Sequence, residues 1–329
     1  MKKWAFIVHP RDVFDLKVAS SSLGRTILRL LSPKIAISIF NAPRVLCSVN
    51  GIAGDGILVT VPILPATMYQ RPKYARQKIL EAVNLGMKNG CQIVGLGELT
   101  APFTDGGRWL LDKIPPDILI TTGNSLTAGN SANDLLDISS GKDLIALIGA
   151  TGSIGSAVAK ILAQEGKNLL LVARNEKRLK LMAKECGCHY STAIDDIRNA
   201  DVIGVFTSSS ELLISSDHLK HNAVVYDITQ PSNVDEGTIG QEREDVAFVK
   251  GGLIFANGIR IGADLRLPEG KMFSCLAETI VLANNGLNFS SYELTGPVNP
   301  EIALFLSDRV KEGFPIFQEP LSEKAGMYF

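Results

Sequence analysis

The amino-acid sequence predicts an α/β protein whose largest domain is a doubly wound parallel sheet, with a smaller α/β domain before it and helices after it. Short apolar runs alternate with amphipathic stretches between about residues 142 and 252, at lengths typical of strands and helices. A glycine-rich turn joins the first apolar run to the first amphipathic stretch. The chain has 329 residues, too many for one small core, which favours roughly two domains.

The composition is typical of a globular protein and excludes several classes of function. Hydrophobic residues make up 46% and charged residues 20% of the chain. The formal net charge is −1, so the chain lacks the excess of positive charge that is typical of nucleic-acid-binding proteins, and we expect no such partner. The apolar run Trp4–Val8 is interrupted at His9 and Pro10, and is too short for a signal peptide or a transmembrane segment.

The five cysteines show neither the spacing of a disulfide framework nor that of a zinc site. We therefore expect no metal and a reducing, cytoplasmic setting. The oligomeric state stays open, with a homo-oligomer among the alternatives.

Residues 1–130 are predicted to form the smaller α/β domain, which would hold the substrate. Apolar residues at Ile79, Val83 and Met87 keep to one helical face, and Gly90 ends that helix. The predicted elements are a buried strand from Trp4, a helix over Lys73–Lys88, and strands over Cys91–Leu96 and Asp117–Thr122.

Residues 131–266 are predicted to form the doubly wound domain, and residues 267–329 a C-terminal helical segment. Strands that alternate with helices of these lengths imply a parallel sheet. The predicted strands are Leu144–Ile148, Asn168–Val172, a short one near His189, Asp201–Phe206, Ala223–Asp227 and Ala247–Lys250. The predicted helices are Ser131–Ser140, Ser153–Gln164, Glu176–Lys184 and about 270–284.

The glycine-rich turn has the context of a Rossmann dinucleotide-binding site, because it lies between an apolar strand and an amphipathic helix. Gly149 permits the sharp turn, Gly152 leaves room for a pyrophosphate, and Gly155 lets helix and strand pack closely. The helix N-terminus offers amides and a partial positive charge to phosphates. The predicted cofactor-binding residues here are Gly149, Thr151, Gly152, Ser153, Ile154 and Gly155. The alternative is a plain strand-turn-helix without a nucleotide.

The end of the second strand of this domain favours NADPH as the cofactor. Arg174 lies about 20 residues beyond the turn, where an NAD site would place an acidic residue. A guanidinium there suits a 2′-phosphate, and Asn175 and Arg178 are predicted to belong to the same site. Glu176 keeps NAD open, and a solvated helix entry is the structural alternative.

Thr207 and Ser208 follow the fourth strand at its carboxyl end, the edge that forms the ligand crevice in open sheets. Their hydroxyls are predicted to line the ribose or nicotinamide. The competing interpretation is a cap for the following turn.

Cys275 lies in a helical pattern that follows Pro268. We expect the positive end of the helix, and Lys271 on the same face, to lower the pKa of the thiol, with Glu278 opposing them. A buried structural cysteine is the alternative, since free cysteines are commonly buried.

Four stretches resemble the cyanobacterial-type long-chain acyl-[acyl-carrier-protein] reductases in order and spacing over about residues 60–285. They are Thr121–Asn124, Ile148–Val158, Ala173–Leu179 and Met272–Glu278. The Thr-Thr-Gly-Asn run combined with Met-Phe-x-Cys-x-Ala-Glu is more specific than the glycine turn, which many reductases share. Ahead of these stretches, Gly95–Thr100 carries Glu98 where this family leads us to expect a smaller residue.

The resemblance implies NADPH-dependent reduction of a fatty acyl thioester to a fatty aldehyde. It places the acyl-accepting nucleophile at Cys275 and makes acyl-carrier protein or acyl-CoA the substrate carrier. Composition alone suggests Asn124, Ser125 and Thr127 as oxyanion donors.

Two other interpretations stay open. One is a shikimate-dehydrogenase-like enzyme acting on a small hydroxy or keto acid, with Lys73 or Lys78 and Asp105 as its proton-transfer pair. The other is a non-catalytic NADPH-binding protein in which Cys275 is core packing.

Overall fold

In a computed structural model, the structure describes residues 1–12, 15, 42–51, 54–209, 211–230, 232–256, 258–284 and 286–312. The strands are β1 Trp4–Val8, β2 Arg44–Gly51, β3 Gly56–Thr60, β4 Ile93–Leu96, β5 Leu119–Thr121, β6 Ile145–Ile148, β7 Leu169–Val172, β8 His189–Ser191, β9 Val202–Val205, β10 Val224–Asp227, β11 Ala247–Lys250, β12 Leu253–Phe255, β13 Ile259–Ile261 and β14 Lys271–Phe273. The helices are α1 Pro65–Gln70, α2 Pro72–Lys88, α3 Thr100–Phe103, α4 Asn124–Ile138, α5 Ser153–Gln164, α6 Glu176–Cys186, α7 Glu236–Glu242, α8 Ser274–Asn284 and α9 Pro300–Lys311.

The chain divides into two compact units. The first unit is Met1–Gly123 with Ala256–Pro297, and the second is Asn124–Phe255 with residues 298–312. The sequence predicted boundaries at 130/131 and 266/267 instead, with a separate segment from 267. The difference arises because α8 packs on β1 and β4 of the first unit, whereas α9 packs on α4 of the second. Residues 313–329 of the predicted C-terminal segment lie outside the described residues.

The first unit contains a six-stranded sheet in the order β13-β2-β3-β1-β4-β5. β1 pairs in parallel with β3 and β4, and β4 pairs in parallel with β5, whereas β2 runs antiparallel to β3. β1 is buried along nearly its whole length because helices cover the central strands of such a sheet. Gly95 of β4 allows α8 to approach closely, since a Cβ at this position would lie 2.0 Å from Thr279 Oγ1.

The second unit contains a six-stranded parallel sheet in the order β11-β10-β9-β6-β7-β8. The chain crosses from β8 back to β9 beside β6, which gives the strand order of a doubly wound Rossmann fold. The predicted fold class is therefore confirmed. α5 spans the residues predicted for it and packs on α4 and α6.

Two predicted helix starts were wrong. α4 begins at Asn124 rather than Ser131, because its first turns bury small side chains instead of an apolar stripe. A Cβ on Gly129 would lie 2.1 Å from the Ala303 carbonyl oxygen, so α4 and α9 are in backbone contact. α8 begins at Ser274 rather than near Gly270, and the residues just before it form the strand β14.

Candidate functional site

The glycine turn at the start of α5 has the shape of a phosphate cradle. Gly149 has a left-handed φ of 81°, and a Cβ at this position would lie 2.8 Å from the backbone of Phe206. A Cβ on Gly155 would lie 2.5 Å from the Gly149 carbonyl oxygen. Gly152 is the exposed N-cap of α5 and has no side chain with which to cap the first-turn amides. The turn therefore fits a pyrophosphate, which binds helix N-terminal amides.

The other predicted residues of this turn lie around its rim. Thr151, Ser153 and Ile154 are half-buried. The Asn124 amide donates to Ser153 Oγ at 3.3 Å, which brings the last residue of the Thr-Thr-Gly-Asn run to the turn. Ser125, one of the suggested oxyanion donors, is buried within α4.

The residues predicted for the 2′-phosphate lie beyond the carboxyl end of β7. Arg174, Asn175 and Arg178 are all exposed. Asn175 is the N-cap of α6 and accepts a hydrogen bond from the Arg178 amide at 3.1 Å. Within the residues that the structure describes, the Arg174 and Arg178 side chains form neither a hydrogen bond nor an ion pair. Both guanidinium groups are thus available to an anion.

Thr207 lies at the carboxyl end of β9, beside the glycine turn. A Cβ on Gly149 would be 2.9 Å from the Thr207 amide nitrogen. The Thr207 hydroxyl donates to Asn233 Oδ1 at 3.0 Å and accepts from the Ser209 amide at 2.8 Å. The Thr207 hydroxyl therefore also caps the following turn, which is the alternative role that the sequence analysis considered. Ser208 is exposed.

In the first unit, Cys275 is the second residue of α8 and is half-buried. Gly123, in the loop after β5, has a φ of 71°, and a Cβ there would lie 2.3 Å from Cys275 Cβ. Two of the stretches on which the family resemblance depends are therefore in direct contact. Because β5 is a parallel strand, this contact lies at the carboxyl edge of the sheet, where ligands bind in such folds.

A buried hydrogen bond fixes the Gly123 loop to α8. The Thr121 hydroxyl donates to Glu278 Oε1, and both side chains are fully buried. The same hydroxyl accepts from the Gly123 amide at 3.2 Å. Thr121 and Glu278 thus hold the loop against the first turn of the helix that carries Cys275.

The expected lowering of the thiol pKa was wrong. Burial raises the pKa of Cys275 to about 12, and the carboxylates of Glu98 and Glu278 add to the rise, against the Leu276 amide, which lowers it. Lys271 lies on β14 rather than on α8, so it does not share a helical face with the thiol. The neutral thiol therefore predominates near pH 7, and a nucleophilic role requires a base.

Two residues that the sequence analysis did not place in the site lie at the same edge of this sheet. His9 directly follows β1, and its Nε2 lies 3.2 Å from Glu98 Oε2. Glu98 follows β4 with a left-handed φ of 51°, a conformation that is uncommon for a residue with a side chain. The Glu98 side chain keeps 26% of its surface exposed. Its partial burial raises the pKa of the carboxyl, against the lowering effect of His9 and Arg11.

The lysine–aspartate pair of the dehydrogenase alternative is not assembled in the part of the chain described. Lys78 pairs with Glu81 at 2.8 Å, and Lys73 is exposed. Within that part of the chain, no ion pair joins either lysine to Asp105.

Over the same described residues, no group of three or more His, Cys, Asp or Glu side chains could hold a metal ion. Nor is any described helix both long and apolar enough to cross a membrane.

Comparison with known proteins gives a family match over the second unit. The family described as shikimate / quinate 5-dehydrogenase matches residues 131–249. The solved shikimate 5-dehydrogenase of Thermus thermophilus, in complex with NADP(H) and shikimate, has a TM-score of 0.40 and 13% identity, covering 94% of this chain and 99% of that one.

Two curated relatives extend into the first unit. The chain is 26% identical to aminotransferase PigE of Serratia sp. over 261 residues, which cover 74% of this chain but 30% of that protein. It is 29% identical to the long-chain acyl-[acyl-carrier-protein] reductase of Synechococcus elongatus over 243 residues, 67% of this chain and 70% of that one. The chain therefore has a fold of the NAD(P)-dependent oxidoreductase type and is a distant relative of this reductase.

Proposed function

We propose that this protein reduces a fatty acyl thioester to a fatty aldehyde with NADPH, through an acyl-enzyme on Cys275. The observation that carries the proposal is the contact between Gly123 and Cys275, which sets a half-buried thiol at the carboxyl edge of a parallel sheet. The distant likeness to the Synechococcus reductase favours an acyl group on acyl-carrier protein, and acyl-CoA is the second carrier to test.

The first half of the reaction is thioester exchange. The thiol of Cys275 loses its proton, attacks the acyl carbonyl carbon, and expels the carrier thiol, which takes up a proton. The new thioester is similar in energy to the old one, so the step needs no additional driving force. Cys275 and Leu276 lie in the first turn of α8, where backbone amides and the helix dipole can stabilise the oxyanion.

The second half of the reaction needs the nucleotide. We propose that the amides at Gly152 and Ser153 hold the pyrophosphate and that Arg174 binds the 2′-phosphate. Bound NADPH supplies the hydride for the acyl carbon. The resulting tetrahedral intermediate collapses by breaking its carbon–sulfur bond, which releases the aldehyde, and the Cys275 thiolate then takes up a proton from water.

Incubation with acyl-carrier protein or acyl-CoA in the absence of NADPH tests the proposal most directly. Intact-mass measurement is expected to show one acyl group added to the protein, and peptide mapping should place it on Cys275. Adding NADPH should then release fatty aldehyde and remove the adduct. A protein that makes aldehyde without ever carrying an acyl group contradicts the acyl-enzyme.

Replacing Arg174 with alanine is expected to weaken NADPH binding by about 10- to 100-fold, because charge-assisted hydrogen bonds to the 2′-phosphate are lost. NADH binding should change little, since NADH lacks that phosphate. Lys177→Ala is the matched control, because Lys177 is an exposed cation of the same segment. Fluorescence titration of both nucleotides measures the effect, and equal losses for NADPH and NADH would contradict the assignment.

A dehydrogenase of a small hydroxy acid is the second candidate, favoured by the family match over residues 131–249. It would oxidise shikimate or a similar hydroxy acid with NADP⁺, and Cys275→Ser would leave that activity intact. Assaying the wild type and this variant against both substrate classes distinguishes the two functions.

A further inference from the structure

Three neighbouring strands bring His9, Glu98 and Cys275 to one edge of the first unit's sheet. β1, β4 and β5 are adjacent and parallel, with Ile7 beside Leu96 and Gly95 beside Thr121. The loops that leave these strands therefore start side by side. The β4 loop carries Glu98, and the β5 loop carries Gly123, which contacts Cys275.

The Glu98 carboxylate is held in place from two sides. Its backbone adopts a left-handed φ of 51°, and its Oε2 lies 3.2 Å from His9 Nε2. The ring of His9 is itself anchored, because its Nδ1 lies 3.0 Å from the Pro10 carbonyl oxygen. Strained, well-supported side chains of this kind are concentrated at functional sites.

We infer that Glu98 is the base that removes the thiol proton of Cys275 during thioester exchange, which makes Glu98 a catalytic residue of the function proposed above. As the carbon–sulfur bond to Cys275 forms, the thiol proton moves to the Glu98 carboxylate. The same proton then passes to the departing carrier thiolate, so the step is balanced and Glu98 ends ionised.

The charges around the thiol explain why a base is needed there. Burial and the charges of Glu98 and Glu278 raise the pKa of Cys275 to about 12, so its thiolate is scarce near neutrality. Burial also raises the pKa of Glu98, and Asp15 adds to the rise, while His9 and Arg11 lower it. A carboxylate with a raised pKa is a better proton acceptor than a solvated one.

The decisive variant is Glu98→Gln, because the two roles of this carboxylate affect two measurements in opposite directions. Without the base, the single-turnover rate of acyl transfer to Cys275 at neutral pH should fall by about 10²-fold or more. Without the negative charge, the thiolate is less disfavoured, so iodoacetamide should alkylate Cys275 faster at a fixed, mildly alkaline pH. Peptide mapping separates Cys275 from the other cysteines.

Two further variants keep the test decisive. Glu98→Gly accepts the left-handed backbone without strain and should show the same acyl-transfer defect, even if the glutamine variant folds poorly. Asp117→Asn removes an exposed carboxylate from the segment just before β5 and should change neither rate.

Each outcome is decisive. Slower acyl transfer together with faster alkylation supports the base. Unchanged acyl transfer overturns it, and so does a parallel fall of both rates, which would show that Glu98 only maintains the fold. A wild-type protein that forms no acyl adduct contradicts the proposed function itself, and this inference falls with it.

Discussion

Replacing Cys275 with alanine or serine is expected to abolish both the acyl adduct and aldehyde formation, with a loss of at least about 10³-fold. The methyl side chain of alanine has no nucleophilic group. A serine hydroxyl has a much higher pKa than the thiol and would form an ester that is harder to reduce. NADPH binding should be unchanged, because the glycine turn and Arg174 belong to the other unit.

Cys47→Ser is the matched control for this loss. Cys47 belongs to the same unit, is half-buried, and burial raises the pKa of its thiol too. It lies on β2, away from the strands whose loops form the site. Its replacement should leave acyl transfer and aldehyde release at the wild-type rate. If the Cys275 variants still produce aldehyde from acyl-carrier protein or acyl-CoA, the acyl-enzyme mechanism is wrong.

The parts of the fold that follow simple periodic rules could be predicted from the sequence. α5 spans Ser153–Gln164 as predicted, because glycines mark its start and apolar residues repeat along one face. The first turns of α4 could not be predicted, since their small and polar side chains show no such apolar repeat. Gly129 is buried because α9 packs against it, and Ser131 is buried where its hydroxyl accepts from Tyr226 of β10, and both are tertiary causes.

In the candidate site, too, features set by the local sequence could be predicted, whereas those set by tertiary contacts could not. Cys275 could be proposed as the nucleophile from the family resemblance, and this role stays a prediction. The direction of its pKa could not be predicted, because burial and the charge of Glu98 outweigh the helix N-terminus, and both depend on tertiary structure. His9 and Glu98 are far apart in the chain and meet only because β1 and β4 are neighbours. A glutamate directly after a glycine that follows a buried strand was the one local signal.

Replacing Gly123 with alanine should lower both the free energy of unfolding and the rate of acyl transfer. An alanine would be strained at a φ of 71°, and its Cβ would lie 2.4 Å from Cys275 Cα. Strain and overpacking together should cost roughly 2–5 kcal/mol of unfolding free energy. Relief of the clash requires the start of α8 to move, and a displacement of about 1 Å lowers catalytic rates by around 10²-fold.

Gly90→Ala is the control that separates backbone strain from overpacking. Gly90 belongs to the same unit and has a φ of 82°, but a Cβ at this position would have no atom within 4 Å. This control should therefore lose only the backbone contribution, about 1–2 kcal/mol, and should keep full acyl transfer. Denaturant unfolding and single-turnover acylation measure the two effects. If both alanine variants lose the same stability and retain acyl transfer, then Gly123 serves the turn alone, and its contact with Cys275 does not position the thiol.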